Sequence, residues 1–290
     1  MAAPAQSPIA IRRAKPEDAL ACGNICYAAF STINAEHNFP CDFPSVDAAV
    51  GVLSMMFSHP NFYCVVAEAD GRILGSNCMD ERSTILGIGP ITVDPSTQNR
   101  RVGRALMDDV LARGWERNAA GIRLVQAAFH NRTLSLYTKL GFDAREPLSV
   151  MQGPRIGERI EPCSVRPAQL SDVEACNQIC LEVHGHHRGG ELADLINFGS
   201  AVVVERHGRI TGYASLAFFG HAVAESNLDL KAMIASADAF GGPGILVPTR
   251  NADLFRWCLE KGLRVVEPMT LMTRGLYNEP AGAYLASISF

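Results

Sequence analysis

Between Val93 and Ala105 the chain reads Val-Asp-Pro-Ser-Thr-Gln-Asn-Arg-Arg-Val-Gly-Arg-Ala, a turn leading from an apolar run straight into a helix-like one. The opening amides of a helix have no intrahelical partner, and with the helix dipole behind them they bind the oxygens of a diphosphate. Gly103 and Ala105 are small enough to let such an anion approach the backbone, while Arg100, Arg101 and Arg104 supply positive charge. Two other constellations hold metal-ligating residue types. Cys22/Cys26 and Cys176/Cys180 are each spaced to share one helix face, and His184-Gly185-His186-His187 concentrates imidazoles. Neither is completed by a second pair at zinc-site spacing. The thiols are therefore expected as buried helix residues, the histidines as a polar helix end, and no metal is expected. Nine cysteines without a C-x-x-C pair, behind an N-terminus lacking a secretory pattern, make a cytoplasmic location with reduced thiols the expectation.

These residues sit in a duplicated chain. Residues 11–26, IRRAKPEDALACGNIC, recur as residues 165–180, VRPAQLSDVEACNQIC, at an offset of 154. Val65–Gly75 recurs as Val202–Gly212 at offset 137, and Glu146–Met151 as Glu267–Met272 at offset 121. The shrinking offset means that the second copy has lost residues between the blocks. A Gly/Pro/charged stretch, Gln152–Pro162, is the expected seam, giving domains at 1–153 and 154–290. In the first copy, periodicity predicts strands over Ile9–Arg13, Phe62–Glu68, Ile73–Asp80, Ile85–Val93, Ile122–Phe129 and Leu148–Met151. Helices are predicted after Asp18 as N-cap, and over Val46–Phe57, Val102–Arg117 and Thr133–Leu140. That order describes an α/β layer fold, α+β with a mixed sheet.

Two motifs on those elements resemble the GNAT acetyltransferase superfamily. One is Gly89-Pro90-Ile91-Thr92-Val93-Asp94-Pro95, running on through Gln98 to Ala105. The other is Asn131-Arg132-Thr133-Leu134-Ser135-Leu136-Tyr137-Thr138-Lys139-Leu140-Gly141-Phe142. The resemblance covers residues 9–153 and implies acetyl-CoA as cosubstrate. It implies that Ile91, Thr92 and Val93 pair with the pantetheine arm, and that Gln98, Asn99, Arg100, Arg101, Val102, Gly103, Arg104 and Ala105 hold the diphosphate. Asn131 and Ser135 follow as further cofactor contacts, and Tyr137 as the acid that protonates the departing thiolate. Where the family usually has a glycine this chain has Arg101; if that position needs a positive φ, arginine costs roughly 1–2 kcal/mol there. An amine nucleophile must also lose a proton to a group in hydrogen-bond reach. The candidates are Asp80 and Glu81 at a strand end, and His37 or Asp42 within Asn34–Pro44. By resemblance that segment walls the acceptor site, which makes His37, Asn38 and Asp42 candidate substrate contacts.

The second copy has no Q/R-x-x-G-x-G/A between Gly220 and Asn251, and Trp257 is expected in place of Tyr137. It resembles the degenerate half of tandem members, so the architecture reads as two GNAT-like domains in tandem, the second degenerate. Its expected roles are to wall off the acceptor site, to form a homodimer, or to hold a ligand in the vacated cleft. The apolar tail Ala281–Phe290 is expected to add a strand or dock on the body. Composition excludes other classes. Residues 1–153 carry 14 Lys+Arg against 15 Asp+Glu, and residues 154–290 carry 12 against 15, so neither half has the basic field of a nucleic-acid binder. No apolar run is long enough to span a membrane. The expected function is N-acetylation of a primary amine on a small molecule, by direct attack in a ternary complex and without a metal. Acetylation of a protein or peptide amine, and non-catalytic acyl-CoA or metabolite sensing, are the alternatives.

Overall fold

A computed structural model of the chain describes residues 8–97, 100–215 and 220–288. It divides into two compact units, residues 1–81 with 87–119, and residues 82–86 with 120–290.

The first unit contains β1 (Ala10–Arg13), α1 (Ala19–Glu36), α2 (Val46–Ser58), β2 (Phe62–Ala69), β3 (Arg72–Asp80), β4 (Ile85–Val93) and α3 (Val102–Glu116), in the predicted order. Strands β1 to β4 pair consecutively and antiparallel. Alternation along β3 sends neighbouring side chains to opposite faces. Asn77 reaches the Leu106 carbonyl of α3 at 3.4 Å, while Ser76 and Cys78 lie toward the thiols of α1. Cys22 and Cys26 are fully buried in that layer, as expected for small apolar side chains. Burial pushes both thiols up to about 12 and leaves them inert.

Asp18 stands at the N-cap position of α1, as expected, but its side chain makes no capping bond to that helix. It ends a 3-10 turn, Pro16–Asp18, ahead of the helix. There its carboxylate accepts from the Lys15 backbone N–H at 2.8 Å and from Arg12 at 2.7 and 3.0 Å, and Arg12 also donates to Glu68 at 2.9 Å. The second copy repeats this network. Asp172 accepts from the Gln169 N–H at 2.8 Å and from Arg166 at 2.7 and 3.0 Å, and Arg166 donates to Glu205 at 2.8 Å. The duplication seen in the sequence therefore extends to individual hydrogen bonds.

The second unit contains β5 (Gly121–Ala127), α4 (Asn131–Lys139), β6 (Asp143–Gln152), β7 (Ser164–Pro167), α5 (Val173–His184), α6 (Gly189–Asn197), β8 (Ala201–Arg206) and β9 (Arg209–Ser215). It continues with β10 (His221–Ala224), α7 (Asn227–Ser236), β11 (Ile245–Pro248), α8 (Ala252–Glu260), β12 (Arg264–Gly275) and β13 (Ala283–Leu285). The order β7–β8–β9–β10 repeats that of β1 to β4. The remaining strands run β5–β12–β6–β11, so the last long strand of the second copy lies between two strands of the first. The register explains the insertion. Leu148 pairs with Met269, its own counterpart at offset 121, while Glu146 pairs with Leu271, the counterpart of Val150, and Val150 with Glu267, the counterpart of Glu146. A local two-fold thus passes through the Leu148–Met269 pair, and β6 and β12 exchange equivalent positions about it. This exchange is why the compact units part near residue 119 and not at 152–162, the seam expected from the repeat.

The tail behaves as a strand. β13 pairs antiparallel with β10, Val223 opposite Tyr284, and Ala286 bridges Leu246 of β11.

Candidate functional site

The site begins with an irregular strand. Asn77 pairs with Ile91 and Met79 with Ile88, so Gly89 and Pro90 together oppose the single residue Cys78 and β4 bulges there. Pro90 cannot donate to a ladder, and Gly89, at φ +149° before a cis peptide to Pro90, takes a conformation L side chains rarely adopt. Beyond the bulge Ile91, Thr92 and Val93 resume the strand, with Thr92 buried and its neighbours half-buried.

After Val93 the chain turns sharply. The Asp94 carboxylate accepts from the Ser96 N–H at 2.8 Å and its Oγ at 2.7 Å, and the Asp94 carbonyl accepts from the Thr97 N–H at 2.8 Å. Gln98 and Asn99 lie outside the described residues. Arg101 then stands at φ +63° and ψ 13°, the left-handed conformation for which the family glycine is suited. α3 opens directly behind it, and the Arg101 side chain makes no capping bond to its first-turn amides. Val102 anchors the turn in the core, Gly103 and Ala105 are half-buried, and Arg101 and Arg104 are exposed. Arg104 shares its charge with Asp108, one turn on, at 3.0 and 3.1 Å. The buried Nε of Arg100 meets no hydrogen-bond partner among the described residues.

The carboxylates part company. Both oxygens of Glu81 are taken by Arg113 of α3, at 2.8 and 3.1 Å, which braces the end of β3 against the helix. Asp80 is buried at the last position of β3, opposite Gly87. His37 and Asn38 close α1 in a helix-capping role: His37 Nδ1 lies 2.9 Å from the Ile33 carbonyl, and Asn38, at φ +60°, lets the Phe39 N–H turn back to Asn34 O at 2.9 Å. Asp42 is buried and accepts from Asn34 at 3.3 Å. These three substrate candidates thus all serve to pin one loop to α1.

In the second unit, Tyr137 is buried on α4, 6.2 Å from the Phe142 ring centroid. Its hydroxyl meets no hydrogen-bond partner among the described residues, and burial raises its pKa well above that of an ordinary phenol. Asn131 opens the same helix, where its carbonyl accepts from Ser135 Oγ at 2.8 Å.

Residues 60–144, which span the bulged strand, the turn and α4, match the Acetyltransferase (GNAT) domain family. Over that stretch the chain is similar to GNAT acetyltransferases. In fold it is similar along its length to a putative acetyltransferase from Pyrococcus horikoshii, at 20% identity over 95% of this chain and 92% of that one, with a TM-score of 0.76. A GCN5-related N-acetyltransferase from Sphaerobacter thermophilus gives 15% identity over 93% and 96%, TM-score 0.61. A tandem GNAT protein from the clavulanic acid biosynthesis pathway gives 11% over 93% and 100%, TM-score 0.58. No curated protein matches the chain in sequence.

Against the GNAT domain, the second copy departs at the same places. Its helix α7 starts at Asn227, with two residues between it and the end of β10, whereas eight residues separate β4 from α3. At the third position of α7 stands Asp229, fully buried and accepting from Ser226 at 2.5 Å, Thr211 at 2.7 Å and Arg206 at 3.2 Å. Burial alone would raise its pKa, yet these donors hold it below the ordinary carboxyl value. A fixed negative charge thus stands at this helix end, where the first copy carries Arg100 and Arg101. Sequence reasoning passed over this residue, although Ser226-Asn227-Leu228-Asp229 is a capping-type pattern. One expectation is corrected. The counterpart of Tyr137 is Cys258 rather than Trp257, because Phe142 N–H donates to Tyr137 O and Leu263 N–H to Cys258 O, both at 3.0 Å, with Gly141 and Gly262 at φ +87° and +88° between them. The one-residue difference comes from matching Asn131 with Asn251, whereas the helix ends align Asn131 with Ala252.

Proposed function

We propose that the chain is an acetyl-CoA-dependent N-acetyltransferase whose first copy is catalytic, moving the acetyl group to a primary amine of a small molecule by direct attack in a ternary complex. The observation that carries this reading is the left-handed Arg101, which stands at the mouth of α3 without capping its amides, a few residues after a bulged strand. Those amides, with Arg100 and Arg101, are suited to hold a diphosphate. The backbone of Ile91–Val93 is offered for the pantetheine arm, and Asn131 and Ser135 for further cofactor contact. Tyr137 supplies the proton to the departing sulfur. Burial leaves the phenol protonated in the neutral range, so the proton is present to be given, although the raised pKa makes it a weaker acid. Asp80 accepts the proton of the amine. Glu81 is committed to Arg113 and acts as a brace. The second copy, with Asp229 at its helix end, binds no acyl-CoA. Among the described residues no helix is long and apolar enough to cross a membrane.

The test is acetyl-CoA turnover, followed by free-thiol release, against a library of small primary amines. Amine-dependent release is the expected result. Acetyl-CoA binding with no release on any amine or peptide would replace the enzyme with a sensor, and release on peptides alone would move the acceptor to proteins.

A further inference from the structure

The connection between β3 and β4, residues 81–84, is held by groups from far along the chain. Arg82 Nη1 donates to the Asp194 carboxylate of α6 at 2.8 Å, and Ser83 Oγ donates to the His187 carbonyl, just ahead of the same helix, at 2.8 Å. The Arg82 side chain is 11% exposed and that of Asp194 28%, so water and salt screen this pair less than one on the open surface. Gly190 stands one turn before Asp194 and therefore on the same face of α6. A Cβ at Gly190 would lie 3.0 Å from the Arg82 carbonyl oxygen, so the missing side chain is what lets the helix and the connection approach so closely.

A clamp positions a strand only if it is itself fixed. Arg188, between His187 and α6, gives its Nε to Glu191 at 2.8 Å and its Nη2 to Ser287 Oγ at 3.2 Å. Asn278 Nδ2 donates to the His184 carbonyl at 3.1 Å, and the Ala281 N–H to that of Val183 at 2.8 Å. The segment 183–191 is thus pinned by the C-terminal tail, and the histidine run at 184–187 contributes a backbone carbonyl to the clamp. Along the chain, Arg82 and Ser83 follow Asp80 by two and three residues. With Glu81 bound to Arg113, every residue from Glu81 to Ser83 has a fixed partner, which leaves the end of β3 little freedom. A base must lie within hydrogen-bond reach of the proton it takes, and a misplacement of about 1 Å costs roughly a hundredfold in rate.

We infer that Arg82 and Asp194 are positioning residues for the proton acceptor: the second copy, through α6, fixes the strand end that carries Asp80. The inference rests on the reading of Asp80 as the base, and it gives the second copy a part in the reaction without a ligand of its own.

The test is kinetic coupling in the full chain. Arg82→Gln and Asp194→Asn should each lower kcat about tenfold or more, with the KM for acetyl-CoA within about twofold of wild type. The double variant should lose no more than the worse single one, and Asp194→Glu, which keeps the charge, should retain most of the wild-type rate. In an Asp80→Asn background, Arg82→Gln should cost no further rate, because the clamp acts through that carboxylate. A second measurement needs no acceptor: hydrogen exchange at the amides of residues 81–85 should quicken about tenfold or more in both single variants. Unchanged exchange would show that the pair clamps nothing. Faster exchange with unchanged kcat, or a further loss from Arg82→Gln on top of Asp80→Asn, would leave the clamp without a part in positioning the base; each of these results overturns the inference. Wild-type activity in Asp80→Asn alone would instead overturn the underlying choice of base, and the inference with it, whatever the exchange shows.

Discussion

Arg101 is the residue at which conformational strain and ligand binding pull in opposite directions, and Arg101→Gly separates them. At φ +63° an L side chain costs roughly 1–2 kcal/mol relative to its ordinary conformations. Glycine removes that cost but forfeits roughly 0.5–1 kcal/mol through the greater freedom of its unfolded chain. The difference leaves about 0.5–1 kcal/mol of net stabilisation, or about 2–4 °C in the melting temperature of a unit of this size. The same change deletes an exposed guanidinium beside the α3 amides. A hydrogen bond to a charged group contributes roughly 1.5–3 kcal/mol, so the KM for acetyl-CoA should rise about tenfold to a hundredfold. Scanning calorimetry with and without CoA, together with steady-state kinetics, reads both effects. The ligand-free protein should melt higher and the CoA-induced shift should shrink. Arg101→Asn, which tolerates the left-handed region, should fall between. A lower melting temperature for Arg101→Gly would refute the strain argument, and an unchanged KM would remove Arg101 from the anion site.

Three further outcomes are expected. Tyr137→Phe should lower kcat by about a hundredfold or more while leaving the KM for acetyl-CoA nearly unchanged, since the phenol acts only as sulfur departs. Because burial raises the Tyr137 pKa, wild-type kcat should show no alkaline loss from this group below about pH 10; a limb near pH 9 that disappears in Tyr137→Phe would contradict this. Asp80→Asn should lower kcat by about 10²-fold or more, whereas Glu81→Gln should lower the melting temperature with kcat largely retained; rate loss in the second variant alone would exchange their roles. Asp18 and Asp172 are held below the ordinary carboxyl value, chiefly by hydrogen bonds from Arg12 and Arg166. Their stabilisation is therefore complete above about pH 4 and is lost as pH falls through the depressed folded-state values. Asp18→Asn and Asp172→Asn should each flatten the acid limb of a melting-temperature profile, and an unchanged limb would show that the two networks do not contribute.

Element type and order in the first copy were legible because they rest on local pattern. Ile85–Val93 alternates, Val102–Glu116 follows a 3.6-residue period, and Asp70-Gly71 marks its hairpin. The turn could be located for the same reason, since Pro95 and Gly103 bracket it. Side-chain pairing is non-local and was not legible. Nothing adjacent to Glu81 announces Arg113, 32 residues on, and nothing near Asp18 distinguishes an N-cap from a partner of Arg12. The imidazoles at 184–187 read locally as a polar helix end, yet His184 and His186 are buried, and His221 reaches His184 from a distant strand. Repeat matching found the duplication but slipped by one residue at Trp257, where only the helix C-terminal hydrogen bonds reveal the register.

The strand exchange also explains why a second copy without an open diphosphate turn persists. β12 hydrogen-bonds β5 from Met269–Ala127 to Gly275–Gly121, and on its other side pairs with β6 from Arg264–Gln152 to Thr273–Asp143. A chain ending at residue 153 would therefore leave β5 and β6 without the neighbour between them, exposing two apolar edges that include Leu124, Leu148 and Val150. Neither strand can compensate by pairing with the other, because the two would need to move together by the width of a strand, about 4.8 Å. The fragment 1–153 should consequently aggregate or remain partly unfolded by circular dichroism and gel filtration. Co-expression with 154–290 should restore a soluble one-to-one complex, because β12 arrives in the second piece. A soluble, cooperatively melting monomer of 1–153 alone would show instead that the first copy completes its own sheet, and the structural reason for keeping the second copy would be gone.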